Sequence, residues 1–261
     1  MYSYIQHRYL IRDSPESVYF YTFHKCASSL FSQYVLKNVI GLYHMNYASQ
    51  LYTGKRSHKK ELEFRKNGFL YGPIRISAYV QGPVAKKLVN PTIKHDFVRD
   101  KIAIFFIRDP RDILVSSYYS FGFTHGLSQV NTIKMRQEAN KSRISEMMLD
   151  EYVLESAEKQ VELFKTLYGL SKACRRGVVL RYEDMINDFD GFAEQLRKYI
   201  TLEDATIGEI YQKTRPMEKE DVTSHRRSGK VGGFREKLEK STIISVNNKL
   251  AEILTLFDYR E

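Results

Sequence analysis

The chain has 261 residues, of which 43% are hydrophobic and 28% charged, enough to bury one substantial core and in line with a single α/β domain spanning 1–261. Its net charge of +10 points to anionic partners, with nucleic acid, acidic membrane surfaces and anionic nucleotides all compatible with charge alone. No apolar run approaches the ~20 residues of a membrane-spanning helix. The first residues lack a signal-peptide core, and two cysteines, Cys26 and Cys174, make no disulfide framework, so a cytoplasmic protein is expected.

In chain order, Asp13-Ser-Pro-Glu16 reads as a turn before the run Val18–Phe23, whose β-branched and aromatic residues suit a strand buried on both faces. From Ser28 the spacing becomes helical through Leu30, Phe31, Tyr34, Val35 and Val39, with Ser28 or Ser29 as cap and Gly41 as stop. The turn between them carries Lys25, Cys26, Ala27, Ser28 and Ser29. Free amides and a helix dipole at such a turn favour phosphate or sulfate. On these residues alone the stretch is equally an ordinary strand–helix unit with a solvated lysine, and the Walker A spacing is absent.

Residues 44–67 are basic and polar, with Gly54–Lys60 an exposed loop. Gly68–Ser77 reads as a short strand broken at Gly72-Pro73, with Arg75 near its end facing either a cleft or solvent. Ile102–Ile107 is a second buried strand. It delivers Arg108 to its carboxyl end, where open α/β sheets gather ligands. Asp109-Pro110 starts a helix, and Ser116 follows Arg108 by roughly two turns. An arginine fork and a hydroxyl suit a phosphate monoester.

Phe121–Gly126 reads as a loop, and a long helix is expected from about Ser145 to Cys174, its core stripe running through Met148, Tyr152, Ala157, Val161, Phe164 and Leu167. Gly177–Tyr182 is a third strand. Residues 189–200 and 206–214 read as helices, and Arg226–Arg235 is a basic, glycine-rich loop whose backbone can approach a phosphate.

Three of these segments, in this order, resemble the signatures of sulfotransferases that use 3′-phosphoadenosine 5′-phosphosulfate (PAPS). His24-Lys-Cys-Ala-Ser-Ser-Leu30 resembles the loop that holds the 5′-phosphosulfate; here Lys25 stands for the lysine near the scissile bridge, Ser28 and Ser29 for two threonines, Ala27 for a glycine and His24 for a proline. Arg108-Asp-Pro-Arg-Asp-Ile-Leu-Val-Ser116-Ser-Tyr-Tyr119 closely resembles the 3′-phosphate clamp, with Arg108 and Ser116 at matching positions. Arg226-Arg-Ser-Gly-Lys-Val-Gly-Gly-Phe-Arg235 is similar to the third, with Arg227, Gly229 and Gly232 matching, Ser228 in place of lysine and Gly233 in place of aspartate. Tyr182-Glu-Asp184 resembles a segment whose tyrosine meets the adenine, Thr214 falls where the family has a threonine near the nucleotide, and Leu250–Tyr259 looks like the closing helix.

The resemblance implies a single domain with a central, mostly parallel sheet flanked by helices, of P-loop NTPase-like form, its core signatures at 17–41, 101–120, 177–185 and 226–238. It implies transfer of a sulfuryl group from PAPS to a hydroxyl or amine, leaving 3′-phosphoadenosine 5′-phosphate (PAP), without a metal. The implied donor set is Lys25, Cys26, Ala27, Ser28, Ser29, Leu30, Arg108, Ser116, Tyr182, Thr214, Arg226, Arg227, Ser228 and Gly229, with Arg75 on the acceptor side. The family's Lys-Thr-His segment, which supplies a base, has no counterpart here. That leaves His125 and His95 as candidates, then Asp96, Glu61 and Glu63. The acceptor (small molecule, lipid or carbohydrate) and the oligomeric state are not encoded in any motif. Two other classes stay open on sequence: a nucleotide kinase or other P-loop phosphotransferase, and a basic nucleic-acid-binding protein.

Overall fold

The computed structural model describes residues 14–46, 64–76, 92–216 and 229–259. Among them the chain forms one five-stranded, wholly parallel sheet in the order β2-β3-β1-β4-β5, with strands β1 (Val18–Thr22), β2 (Tyr43–Met45), β3 (Phe69–Arg75), β4 (Ile102–Ile107) and β5 (Arg176–Arg181). The central strand β1 is buried along its whole length, as the unbroken apolar run at 18–23 predicts. Its side chains alternate between two helical layers. On one face Phe20 stacks with Phe31, and Phe106 and Phe192 pack beside them. On the other, Tyr21 stacks on Phe105 and Phe23 on Phe164.

The first layer contains α1, a composite helix of an α turn Ser28–Leu30, a π turn Phe31–Val35 and a 3-10 turn Leu36–Asn38, which stops short of the Gly41 expected to end it. Neither serine caps it. Ala27 is the cap residue, in the left-handed region, and the Ser28 hydroxyl instead accepts from Arg75 Nε at 3.1 Å. After α2 (His95–Val98), helix α3 (Pro110–Tyr119) starts as predicted: the Asp109 carboxylate accepts the Arg111 N–H at 2.9 Å, and Pro110 opens the first turn. Of Phe121–Gly126, expected as loop, the first four residues belong to a π turn, Ser120–Thr124, that continues α3.

The long helix expected from about Ser145 to Cys174 is α5 (Leu149–Ala173), and a further helix that was not expected, α4 (Asn131–Glu146), precedes it. No Gly or Pro marks the break; Met147 and Met148 are extended, and the Met147 carbonyl accepts the Tyr118 hydroxyl at 2.8 Å. Met148 is therefore exposed rather than core, whereas Tyr152, Ala157, Phe164 and Leu167 are buried. The chain closes with α6 (Tyr182–Asn187), α7 (Phe189–Arg197), α8 (Asp204–Thr214), the short α9 (Phe234–Lys237) and α10 (Lys240–Leu256). None of the described helices is long and apolar enough to cross a membrane.

β3 is not broken at Gly72-Pro73. The cis peptide there sits in an irregularity of register: Tyr19 faces Tyr71 and Tyr21 faces Ile74, so β3 spends an extra residue against β1. A Cβ on Gly72 would lie 2.9 Å from both Cβ and the carbonyl oxygen of Phe20, contacts that need the backbone of β1 to move. Gly72→Ala is expected to cost about 1–3 kcal/mol by overpacking, and a thermal melt should show a drop of about 2–10 °C. An unchanged melting temperature would contradict this tight seam.

Candidate functional site

Parallel register brings the functional candidates to one edge of the sheet. Thr22 faces Phe106 across β1 and β4, and Ile107 faces Arg181 across β4 and β5, so Lys25, Arg108 and Tyr182 leave three neighbouring strands at their carboxyl ends. Arg75 ends β3 on the other side of β1, opposite Thr22.

Arg108 joins these pieces. Its Nη1 donates to the Lys25 carbonyl at 3.4 Å and its Nη2 to the Lys230 carbonyl at 3.1 Å, while the guanidinium lies 4.4 Å from the centre of the Tyr182 ring. The Tyr182 hydroxyl donates to the Gly229 carbonyl at 2.6 Å. Asp112, one helical turn after Arg108, pairs with it at 3.5 Å and accepts the N–H groups of Gly232 and Phe234 at 2.8 and 3.0 Å. The glycine-rich segment is thus tied to the start of α3 through a buried carboxylate, which burial pushes above its ordinary range against the pull of Arg108. Arg108 Nε is buried with no acceptor among the described residues, a donor still to be satisfied. Ser116 lies one turn beyond Asp112 on the same helix, hence on the face turned to that segment.

The turn after β1 has the form of an anion nest. Lys25 and Ala27 are both left-handed, at φ 67° and 50°, a conformation that costs a non-glycine residue about 1–2 kcal/mol and turns successive amides toward one side. The helical ladder begins only with Phe31 N–H to the Ala27 carbonyl, so the amides just before it lie outside the ladder. The Cys26 side chain is fully buried, and burial pushes its thiol up to about 12, which leaves that residue its backbone to offer.

Other members of the motifs are braces. Arg111 is buried, with Nε and Nη2 on the Asp109 carboxylate at 3.0 and 2.8 Å and Nη1 on Asn247 Oδ1 at 3.0 Å. Glu183 accepts the Asp109 N–H at 2.9 Å and the Tyr259 hydroxyl at 3.2 Å, and burial raises its carboxyl to about 7. Tyr182, given to the adenine by resemblance, is buried with one ring face under Arg108. The buried Thr214 hydroxyl donates to the Tyr211 carbonyl at 2.9 Å, near α6, where Arg215 reaches the Met185 carbonyl. Arg226, Arg227 and Ser228, like Gly54–Lys60, Glu61 and Glu63, lie outside the described residues.

The two candidate bases part company. His95 lies apart from the other candidates: it precedes β4, at the amino edge of the sheet, packed on Gly169 near the carboxyl end of α5, a full strand length from Arg108. Asp96 is likewise remote, paired with Arg99 at 2.7 Å. His125 follows the π turn after α3, its ring 5.4 Å from Phe121, which in turn meets the His24 ring at 6.0 Å.

His24 is the residue that the sequence reading passed over, as a mere replacement for proline. Its only signal is position: a histidine just past a buried strand and beside Lys25. Burial, then the cationic Arg75, the neighbouring His125 ring and the cationic Lys25, pushes its imidazole down to about 3. The unfolded chain protonates this histidine near its ordinary value of 6.5 while the folded chain keeps it neutral. The stability it contributes is therefore present above that pH and lost as pH falls toward 3. His24→Gln should flatten the decline in melting temperature between about pH 7 and pH 4. An acid limb as steep as in the wild type would show that His24 titrates freely.

No family model matches the chain, and no curated protein matches it in sequence. Among solved structures it is similar to mouse sulfotransferase SULT7A1 complexed with PAP, at 14% identity and a TM-score of 0.55 over 94% of this chain and 88% of that one. It is also similar to retinol dehydratase in two complexes. With retinol and PAP the identity is 11% and the TM-score 0.55, covering 95% of this chain and 84% of that one. With androsterone and inactive cofactor PAP the values are 12% and 0.52, covering 95% and 83%. At such identities the likeness is one of fold: the chain has the P-loop-like α/β fold of these PAP-bound proteins.

Proposed function

We propose that a chain with this sulfotransferase fold moves the sulfuryl group of PAPS to a hydroxyl or amine of a small-molecule, lipid or carbohydrate acceptor by in-line displacement. The observation that carries the reading is Arg108, held between the carbonyls of Lys25 and Lys230 and packed on Tyr182, with a buried Nε still lacking an acceptor among the described residues. One arginine thereby joins the three segments that resemble the family's signatures. In this reading the nest of Lys25, Cys26, Ala27, Ser28, Ser29 and Leu30 takes the 5′-phosphosulfate. Arg108 and Ser116 take the 3′-phosphate, Tyr182 and Thr214 border the adenine, and Gly229 continues the loop of Arg226, Arg227 and Ser228. Arg75, fixed on Ser28, faces the acceptor side.

PAPS supplies an activated sulfuryl group on a phosphate leaving group. The chain's task is then positioning and charge stabilisation: transfer through a loose transition state places negative charge on the leaving phosphate, where Lys25 and the nest amides act. Among the described residues, no group of three or more His, Cys, Asp or Glu side chains could hold a metal ion.

Calorimetry with PAP and with ATP, each with and without magnesium, tests the reading, followed by transfer of radiolabelled sulfate from PAPS across an acceptor panel. Magnesium-independent binding of PAP well above that of ATP is expected. Magnesium-dependent ATP binding tighter than PAP would replace the proposal with a phosphotransferase. Absence of PAP binding beside steeply salt-dependent DNA binding would replace it with a nucleic-acid-binding protein.

A further inference from the structure

At the start of α3 the charges packed around Arg108 do not balance. Arg108 pairs with Asp112 at 3.5 Å and Arg111 with Asp109 at 2.8 Å, and Asp109, Arg111 and Asp112 are buried. Glu183, in the first turn of α6, brings a third carboxylate to these two guanidiniums. Both of its hydrogen-bond partners are neutral: Oε1 accepts the Asp109 N–H at 2.9 Å and Oε2 the Tyr259 hydroxyl at 3.2 Å. Tyr259 is held there by a tight turn after α10, in which Asp258 is left-handed at φ 52° and the Tyr259 N–H donates to the Leu254 carbonyl at 2.8 Å. Arg181, at the end of β5, is held against that turn, on the Asp258 carbonyl at 3.2 Å and 5.3 Å from the centre of the Tyr259 ring. Of the other ionisable neighbours, Cys26 keeps its proton because burial pushes its thiol up, the Tyr182 hydroxyl donates to Gly229, and Asp184 is exposed. Glu183 is the odd carboxylate of the group.

We infer that Glu183 is a positioning residue of the donor clamp: braced by Tyr259, it holds the backbone just after Arg108, and it takes up a proton from solvent when the 3′-phosphate of PAPS or PAP docks on Arg108. This rests on the sulfotransferase reading and adds to it a link between donor affinity and pH. Burial raises the Glu183 carboxyl to about 7, against the pull of the Asp109 N–H and of Arg108. A phosphate on Arg108 offsets that pull and adds negative charge, so the complex holds the proton to a higher pH than the free protein. Asp112, whose carboxyl burial also raises, is the poorer place for it, because it accepts two N–H groups as well as pairing with Arg108. The sign follows: the proton binds the complex more tightly, so affinity for PAP falls as pH climbs through 7. The ligand's own phosphates, with a second ionisation near pH ~6, release protons on meeting a cation, which has the opposite sign and is confined to lower pH.

Calorimetry of PAP binding in two buffers of different ionisation enthalpy counts the protons. The wild type should take up about 0.3 to 0.6 proton per PAP at pH 7.5, and its Kd should rise about 3- to 10-fold between pH 7 and pH 8.5. Glu183→Gln keeps an acceptor for the Asp109 N–H and stands in for the protonated acid. It should take up less than about 0.1 proton and hold its Kd within about twofold over that range. Glu183→Ala leaves the Asp109 N–H without its acceptor and should weaken PAP about 3- to 10-fold at pH 7, a loss that the glutamine variant does not share. Tyr259→Phe removes one donor to the carboxylate and should move the midpoint of the curve of Kd against pH up by about 0.5 to 1 unit. Proton uptake that is absent from the wild type, or equal in wild type and Glu183→Gln, overturns the inference while leaving PAP binding intact. Failure of the wild type to bind PAP overturns the sulfotransferase reading instead. Thermal melts without ligand then still decide whether Glu183 holds the extra proton. The melting-temperature advantage of Glu183→Gln over wild type should grow from about pH 5 to pH 7, where the unfolded chain ionises this carboxyl and the folded chain does not, and level off above. An advantage that stays constant across that range overturns the assignment of the proton to Glu183.

Discussion

Lys25→Ala is expected to lower the turnover of sulfuryl transfer by about 10²–10³-fold, the scale set by removing one preorganised charge stabiliser from an active site. Affinity for PAP should change far less. The left-handed backbone at Lys25 is as costly for alanine as for lysine, so the substitution leaves the nest and the carbonyl that receives Arg108 in place. What it removes, under the proposed function, is an ammonium beside the bridge, whose charge matters most when the bond to the leaving phosphate breaks. Single-turnover transfer to any acceptor that the wild type sulfates, compared with PAP calorimetry on the same preparation, separates the two effects. A variant that turns over at the wild-type rate takes Lys25 out of the chemistry.

Arg108→Ala is expected to act on the other quantity. The Kd for PAP should rise by about 10²–10³-fold, because losing one partner of a buried, hydrogen-bonded charge pair costs about 2–5 kcal/mol. The variant should also melt earlier. Asp112 would keep its amide partners Gly232 and Phe234 but lose its cation, and an uncompensated buried carboxylate is worth about 3–5 kcal/mol of instability. Arg108→Lys separates charge from shape: an ammonium can neutralise Asp112, yet it cannot span the Lys25 and Lys230 carbonyls while lying on Tyr182. We therefore expect the lysine variant to recover most of the melting temperature and little of the PAP affinity. Equal PAP affinity in wild type and Arg108→Ala would remove the residue on which the proposed function rests.

Much of this site can be read locally. The buried strand at 18–22, the capped start at Asp109-Pro110 and the position of Arg108 at a strand end follow from residues within a few places of one another. What the linear pattern misassigned depends on distant partners. The helical period from about Ser145 finds α5 but overruns its start, where Met147 and Met148 are extended and the Met147 carbonyl accepts the Tyr118 hydroxyl of α3. Histidines near a motif look alike on paper; only the sheet puts His95 at one edge and His24 and His125 at the other.

The sequence by itself determined the alternation of buried strands with helices and the placing of Lys25 and Arg108 just past strand ends, because strand runs, caps and loop residues act through nearest neighbours along the chain. The tertiary structure alone decided that Arg108 meets Lys230 across 122 residues, that Asp112 rather than a loop residue anchors the glycine segment, and that His24 sits where burial and the nearby Arg75 and Lys25 push its imidazole down. Burial and field are sums over everything packed around a group, and no window of sequence contains those neighbours.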